Sequence, residues 1–296
     1  MPPVVLIRYG ELALKSPPVR REFERTLGRN ILEQFRAAGA SCRLRADHGH
    51  LYVYADDAEG AIRILRRVFG VTSVSAVTEL DTDVAEIARS LLDLAEPHLR
   101  TGTRFAVRAR RTGQHPFTSQ ELARDLGGRV LERWPDRGLK VDLEHPDVEL
   151  HVEVRGPRTY LYLDRQEGPG GLPLGVAGRV VALVDSSRGA LGAFLMMKRG
   201  CRCAMVFTPE GEPFAREVLS RFDPQLRLAG PDPTAEGALE GLAEATRADG
   251  MVLPLPVEAY PSARARWGDR VLFSPTVGMT DEEVEARWRN VEQLAG

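Results

Sequence analysis

The chain has 296 residues, which is enough for two or three domains of ordinary size. Its 43% hydrophobic and 28% charged residues are typical of a globular protein, and its formal net charge of −2 gives no general signal for nucleic acid. Three cysteines argue against a disulfide framework and no apolar run approaches the length of a membrane span, so we expect a cytoplasmic protein that does not enter a membrane.

The first quarter of the sequence predicts an alternation of strands and helices. The predicted elements are a strand at 4–8, a helix at 19–38, strand material at 43–54, a helix at 58–68 and a strand at 73–79. This order fits a compact α+β domain over residues 1–75. The same stretch carries 12 Lys and Arg against 8 Asp and Glu, so any basic surface is expected here.

The middle of the chain predicts a second α/β unit over residues 76–167, separate from the first. Its predicted elements are helices at 84–94 and 119–134 and strands at 104–110, 148–155 and 159–165. Ser119 is a good helix start, with Pro116 just upstream to end the preceding strand.

The densest cluster of glycine and proline, residues 166–173, predicts a domain boundary. After it the pattern changes to strands at 179–184, 202–207 and 250–255, alternating with helices at 189–198, 213–222 and 281–294. Such alternation predicts a parallel sheet covered on both faces, in a domain over residues 175–296.

Three stretches resemble the tRNA 4-thiouridine synthetases, the ThiI family, in that family's order. They are Arg8-Tyr9-Gly10-Glu11 with Lys15, then 105–119, then 171–201, and residues 275–283 resemble a later family element. The resemblance implies an α+β front half, made of a ferredoxin-like domain and an α/β THUMP domain. It implies that a shortened α/β parallel-sheet domain follows, resembling a truncated PP-loop ATP pyrophosphatase.

In this family the enzyme adenylates a uridine of tRNA and then delivers sulfur, and the front domains hold the tRNA. The resemblance and the residue chemistry together give the candidate RNA-binding residues Arg8, Lys15, Arg21, Arg25, Arg108, Arg110, Arg111, His115, Phe117, Thr118 and Ser119. Several have a structural alternative: an ion pair with Glu11 for Arg8 or Lys15, a solvated helix face for Arg21 and Arg25, and core packing for Phe117.

The nucleotide loop of the family has the form Ser-Gly-Gly-x-Asp-Ser, in which glycines let the backbone approach phosphates. Here the corresponding residues are Asp185, Ser186, Ser187, Arg188 and Gly189. Serines replace both glycines, and Asp185 places a carboxylate where a triphosphate would lie. We therefore predict a degenerate loop, in which this segment is an ordinary helix N-cap or a weak anion site.

Cys201 and Cys203 flank Arg202 at the start of an apolar strand, and no cysteine follows them. We expect both to be structural, with one side chain pointing inward and the other pointing outward or into the opposite layer. Two cysteines without a second pair or a histidine spacing do not predict a zinc site, so no metal ligand and no catalytic residue is assigned.

The sequence therefore predicts a tRNA-binding pseudoenzyme without a cofactor or an adenylation activity of its own. The alternative is an active tRNA sulfurtransferase with a remodelled site for ATP and magnesium. The predicted partners are the acceptor end of tRNA, a second copy in a homodimer and a separate tRNA-modifying enzyme. A methyltransferase is disfavoured because no glycine-rich cofactor loop follows a strand.

Overall fold

The computed structural model describes residues 3–10, 16–47, 50–230, 236–268 and 270–296. The elements of the first domain are β1 (Val4–Tyr9), α1 (Pro17–Ala37), β2 (Arg43–Asp47), β3 (His50–Tyr54), α2 (Ala58–Leu65) and β4 (Val71–Asp81). The strand material at 43–54 is an antiparallel pair, in which β2 lies beside β3. The other elements lie where the hydrophobic pattern predicts them, within a few residues.

The second domain contains two long strands and two helices around one core. Its elements are α3 (Val84–Ala95), β5 (Arg104–Thr112), α4 (Ser119–Arg133), β6 (Lys140–Val141), β7 (Val148–Arg155), β8 (Arg158–Tyr162) and β9 (Gln166–Glu167). The two-residue strands β6 and β9 have no counterpart in the predicted elements. They are too short for a periodic pattern and form only because a neighbouring strand supplies their partners.

The two front domains share one sheet, in the order β2-β3-β1-β4-β8-β7-β5-β6, with β9 beside β4. Strand β4 joins them because its 11 residues reach two partners. Residues 71–77 pair with β1, and residues 78–81 pair with β8. The sequence treats the two units as separate, whereas the sheet runs without interruption across the predicted boundary at 75/76.

This sheet is strongly curled. The rings of Tyr52 on β3 and Tyr160 on β8 stack with centroids 4.7 Å apart, although β1 and β4 lie between these strands. On a flat sheet, three steps between strands would separate them by about 14 Å. The inside of the curl is filled by Tyr52, Tyr54, Tyr160 and Tyr162 with Val4 and Leu6, and the helices pack on the other face.

The third domain is a parallel sheet, as predicted, but it has five strands where the sequence indicated three. Its elements are β10 (Arg179–Val184), α5 (Ser187–Lys198), β11 (Arg202–Phe207), β12 (Arg227–Ala229), α6 (Glu236–Thr246), β13 (Gly250–Val252), α7 (Tyr260–Trp267), β14 (Val271–Phe273) and α8 (Asp281–Ala295). The strand order is β12-β11-β10-β13-β14. The helix predicted at 213–222 is a π-helical turn at Phe214–Val218 followed by a 3-10 turn at Leu219–Arg221.

Separate cores cover the two faces of the parallel sheet: α5 and α8 pack on one face, and α6 and α7 on the other. Cys201 and Cys203 are each 5% exposed and belong to the same core. The expectation that one of them points outward or into the opposite layer is therefore wrong. Residues two apart on a strand share a face, so both thiols lie on the side of α5.

Helix α1 of the first domain packs against the third domain. The Asn30 amide donates to the Leu174 carbonyl at 3.0 Å, and the Gln34 amide donates to the carbonyls of Arg221 and Phe222 at 3.0 and 2.9 Å. These hydrogen bonds, two of which are buried, fix the third domain to the front sheet. In the part of the chain that the structure describes, no helix is both long enough and apolar enough to cross a membrane.

Candidate functional site

A groove of about 1270 Å³ opens on the second domain between the edge of β5 and helix α4. Four arginines line it: Arg108 and Arg110 from β5, Arg124 from α4, and Arg165 from the segment after β8. The acidic residues of its lining are Glu149 and Asp164. The groove is therefore a cationic concavity, and two of its four cations come from residues that the sequence did not single out.

The four arginines differ in how they are held. Arg108 donates from Nε to Glu149 at 2.8 Å and from Nη2 to the Leu143 carbonyl at 2.7 Å. Its hydrogen bond is the main cause of the lowered pKa of the Glu149 carboxyl. Arg110 and Arg124 are exposed and make no hydrogen bond or ion pair with another described residue. Their charges are available to an anion.

The floor of the groove combines apolar side chains with an open strand edge. Leu131, Val141 and Leu143 are 38%, 51% and 60% exposed, respectively. Strand β6 pairs only with Arg104 and Phe105, so the edge of β5 beyond them has no partner strand among the described residues. The Phe105 carbonyl points toward β6 and accepts a hydrogen bond from the backbone amide of Asp142, just after that strand. Because backbone groups alternate in direction along a strand, the N–H groups of alternate residues farther along β5 point into the groove.

The other predicted residues lie in or beside the loop from β5 to α4, and only Ser119 among them is part of the groove lining. The rings of His115 and Phe117 stack at 5.5 Å, and Phe117 is half-buried against the domain core. Thr118 is the N-cap of α4 and forms a capping box with Glu121, so its hydroxyl and that helix amide are already engaged. Ser119 lines the groove, and Arg111 donates to the Gly113 carbonyl at 2.9 Å.

Arg8 lies apart from the groove, inside the curled sheet. Its guanidinium donates to the Glu153 carboxylate at 3.1 Å and to Ser75 Oγ at 3.0 Å, and its side chain is 12% exposed. This is an ion pair across the two front domains, with a different partner from the one considered in the sequence. Lys15 and Glu11 lie outside the described residues.

Glu153 is the centre of that ion pair and is 3% exposed. It accepts from Tyr162 Oη at 2.6 Å, and Arg155 donates to its other oxygen at 2.6 Å. Burial raises the pKa of the Glu153 carboxyl, but these hydrogen bonds and the charge of Arg8 outweigh burial and lower it to about 2. The carboxylate is therefore ionised at neutral pH and locks the domains together.

Arg21 and Arg25 lie along α1, on the lining of a second groove between α1 and β2. Arg25 pairs with Glu22 at 2.7 Å, but both side chains are largely exposed, so the pair holds Arg25 only weakly. Arg21 is exposed and without a partner among the described residues.

The predicted nucleotide loop lies at the carboxyl end of β10, beside β13, where the strand order of the sheet reverses. In open α/β sheets this position forms a ligand crevice. Ser186 is the N-cap of α5 and accepts from the Gly189 amide at 3.3 Å. Arg188 donates to the carbonyls of Thr276 and Met279 and pairs with Asp281 at 2.7 Å, which ties the loop to the segment before α8.

The side chains of this loop are already engaged in other contacts. A phosphate at the start of α5 would have to replace the Ser186 cap and lie close to the Asp185 carboxylate. The Arg188 guanidinium, the cation of the loop, is already bound to Asp281 and two carbonyls. Across the described ranges, no group of three potential ligands could hold a metal ion.

The two thiols in the core of the third domain, Cys201 and Cys203, do not have the lowered pKa of a reactive cysteine. Burial raises the pKa of Cys201 and raises that of Cys203 well above its ordinary value. A thiolate is the reactive form of cysteine, so both residues are core side chains in this structure.

Two family models match the front of the chain. The ThiI ferredoxin-like domain matches residues 4–75, and the THUMP domain matches residues 81–164. The "Probable tRNA sulfurtransferase" of Methanothermobacter thermautotrophicus is 40% identical over 220 residues, which cover 72% of this chain and 54% of that protein. The tRNA sulfurtransferase of Pyrobaculum aerophilum is 35% identical over 254 residues, covering 81% and 51%. The chain thus spans about half the length of these relatives.

Two solved structures share the whole architecture. PH1313 from Pyrococcus horikoshii is 25% identical with a TM-score of 0.81, and the match covers 98% of this chain and 99% of that one. A 4-thiouridine synthetase, solved in complex with RNA and with bound ATP, is 23% identical with a TM-score of 0.79, and the match covers 99% and 86%. The similarity of the second structure establishes the fold.

Proposed function

Since the chain belongs to the ThiI family of tRNA sulfurtransferases by its ferredoxin-like and THUMP domains, we propose that it binds tRNA through the groove between β5 and α4. The observation that carries the proposal is the pair of unpartnered arginines on the two walls, Arg110 and Arg124. An RNA phosphate would meet two guanidinium groups that form no hydrogen bond or ion pair with another described residue, although the charge of the Glu121 carboxylate acts on Arg124 at longer range.

The other features of the groove suit an unpaired RNA end better than a double helix. The exposed leucines of the floor offer an apolar surface on which a base or ribose can lie. The free edge of β5 offers backbone N–H groups as donors to RNA oxygens. The rings of His115 and Phe117 stack in the loop that leads to Ser119, the first residue of α4, which lines the groove. These features favour the single-stranded acceptor end of tRNA as the bound part.

A binding titration of unmodified tRNA with the full chain tests the proposal. We expect the Arg110→Gln/Arg124→Gln protein to bind about 10-fold more weakly, with a smaller salt dependence because two phosphate contacts are lost. The matched control is Arg287→Gln/Arg289→Gln, which removes two exposed charges from α8, outside the groove. A tRNA that lacks its unpaired 3′ nucleotides should bind the wild-type protein more weakly.

Equal affinity of the groove variant and the control would contradict this location of the site. Undetectable binding of tRNA by the wild-type protein at low salt would contradict the proposed function as a whole. If trimmed and complete tRNA bind equally, binding to the acceptor end is excluded while tRNA binding stands.

We further propose that the chain does not adenylate tRNA by itself, because Ser186, Asp185 and Arg188 leave no phosphate cradle at the start of α5. Calorimetric titration with ATP and magnesium, with and without tRNA, tests this directly. We expect no heat of binding and no tRNA-dependent release of pyrophosphate. In this case a separate tRNA-modifying enzyme acts on the bound tRNA in the cytoplasm.

The names of the relatives and the crevice at the reversal of strand order favour a second candidate, an active tRNA sulfurtransferase with a remodelled ATP site. It predicts ATP binding that weakens when Arg188 is replaced by Gln, together with pyrophosphate release on addition of tRNA. Either result would overturn the pseudoenzyme proposal and leave tRNA binding intact. Both candidates are compatible with a homodimer, and light scattering of the purified protein distinguishes a homodimer from a monomer.

A further inference from the structure

A further cationic concavity lies at the amino ends of strands β10, β11 and β12, opposite the nucleotide loop, and extends to α1 of the first domain. It consists of two adjoining clefts of about 370 and 590 Å³ that share Arg179, Arg202 and Arg247 in their lining. Arg227 completes the first cleft, and Arg29 of α1 completes the second. We call these five residues the arginine cleft.

The arginine cleft carries five positive charges against three carboxylates, Glu33, Asp223 and Asp249, which leaves it with a net positive charge. Arg202 is neutralised by Glu33 at 3.0 Å and by Asp223 at 2.9 Å, and Asp223 is almost fully buried. The side chains of Arg179, Arg227 and Arg247 are exposed and make no hydrogen bond or ion pair with any other described residue. The other carboxylate in the lining, Asp249, accepts from the Arg179 backbone amide at 2.8 Å.

Arg247 also adopts a backbone conformation that its side chain disfavours. It has a φ of +52°, and it is the one non-glycine residue with positive φ in the part of the chain that the structure describes. Its amide donates to the Glu244 carbonyl and the Ala248 amide donates to the Ala243 carbonyl, so Arg247 is the residue that ends α6 in a left-handed turn. Glycine is the usual residue at that position. The Arg247 side chain lines both clefts, and a disfavoured backbone conformation at such a position favours a role for this side chain.

We propose that the arginine cleft binds phosphate groups. Arginine presents a planar fork of donors that matches phosphate oxygens, and a concave wall with several such groups favours an anion with more than one charge. Arg29 belongs both to the cleft and to the groove along α1 that carries Arg21 and Arg25. The three arginines are four residues apart and span about 12 Å of the helix. This track favours the sugar-phosphate backbone of an RNA as the source of the phosphates.

The RNA source rests on the proposed function, whereas phosphate binding itself does not. The first variant is Arg247→Gly, which removes the charge and also relieves the left-handed turn. We expect it to weaken tRNA binding about 5-fold and to raise Tm by about 2–4 °C. A loss of affinity in a more stable protein cannot be attributed to misfolding. The second variant, Arg179→Gln/Arg227→Gln, should weaken binding about 10-fold and lower the slope of log K against log salt by about 1.5.

Two controls separate this inference from the proposed function. Arg287→Gln/Arg289→Gln matches the change in charge, and the groove variant Arg110→Gln/Arg124→Gln reports on the THUMP surface alone. If only the groove variant loses tRNA affinity, RNA binding by the arginine cleft is refuted and the proposed function stands. A calorimetric titration with inorganic pyrophosphate then tests whether the arginine cleft binds phosphate groups at all. Pyrophosphate binding that Arg179→Gln/Arg227→Gln abolishes supports a small phosphate ester as ligand, and the absence of such binding overturns the inference.

Discussion

Replacing Glu153 by Gln tests the buried ion pair that holds the two front domains together. The carboxylate is 3% exposed and accepts hydrogen bonds from Tyr162, Arg8 and Arg155. Glutamine keeps the size of the side chain but removes the charge, and it leaves the guanidinium groups of Arg8 and Arg155 facing each other without a counter-ion. Breaking one side of a buried pair is strongly destabilising for this reason.

The size of the effect follows from the pKa. Lowering the carboxyl pKa from its ordinary 4.5 to about 2 corresponds to about 3 kcal/mol of folding free energy at pH 7. Because the folded-state pKa is the lower one, this contribution is complete above pH 5 and is lost as the pH falls toward 2. At pH 3 about 1 kcal/mol should remain.

Urea unfolding followed by circular dichroism at pH 7 and pH 3 measures both values. The control is Glu22→Gln, which breaks an exposed pair with Arg25 and should cost less than about 1 kcal/mol at either pH. The predicted strength of the ion pair is refuted if Glu153→Gln costs no more than the control at pH 7. It is also refuted if the difference between wild type and Glu153→Gln does not shrink at pH 3.

Three further perturbations follow from the structure. Thr118→Ala removes the capping box of α4 and should cost about 1 kcal/mol in urea unfolding, with Thr112→Ala, on the exposed end of β5, as a comparison. Gln34→Ala leaves two carbonyls of the third domain without their donor and should cost about 1–3 kcal/mol in unfolding free energy. In this variant we expect the backbone amides of the 221–222 turn to exchange hydrogen faster than those of the front sheet. Uniform protection of both regions would contradict this expectation. Burial and the hydrogen bond to Glu79 raise the pKa of Tyr54 to about 12. The stability that this contact contributes is complete below pH 10 and declines as the pH rises toward 12. Tyr54→Phe should therefore flatten the decline of the unfolding free energy in this range. An unchanged dependence of the unfolding free energy on alkaline pH would argue against the contact.

The sequence by itself determined the elements whose patterns are local. The strands at Val148–Arg155, Arg179–Val184 and Arg202–Phe207 have the bounds that were predicted, because a run of apolar or alternating residues specifies a strand within its own length. The start of α4 was also predicted from its capping residues. The family resemblance gave the order of the domains, which the matches to the ThiI ferredoxin-like and THUMP domains support.

Only the tertiary structure decided which of these elements meet. Arg8 pairs with Glu153 across 145 positions because β4 joins the two front domains into one curled sheet, and no local pattern encodes that curl. Arg124 reaches the groove because α4 packs on β5, and Arg247 reaches the arginine cleft because α6 ends beside α1 and β10. A charged side chain has the same sequence pattern on a solvated face as in a binding cleft. The difference lies in the partners that folding brings close to it.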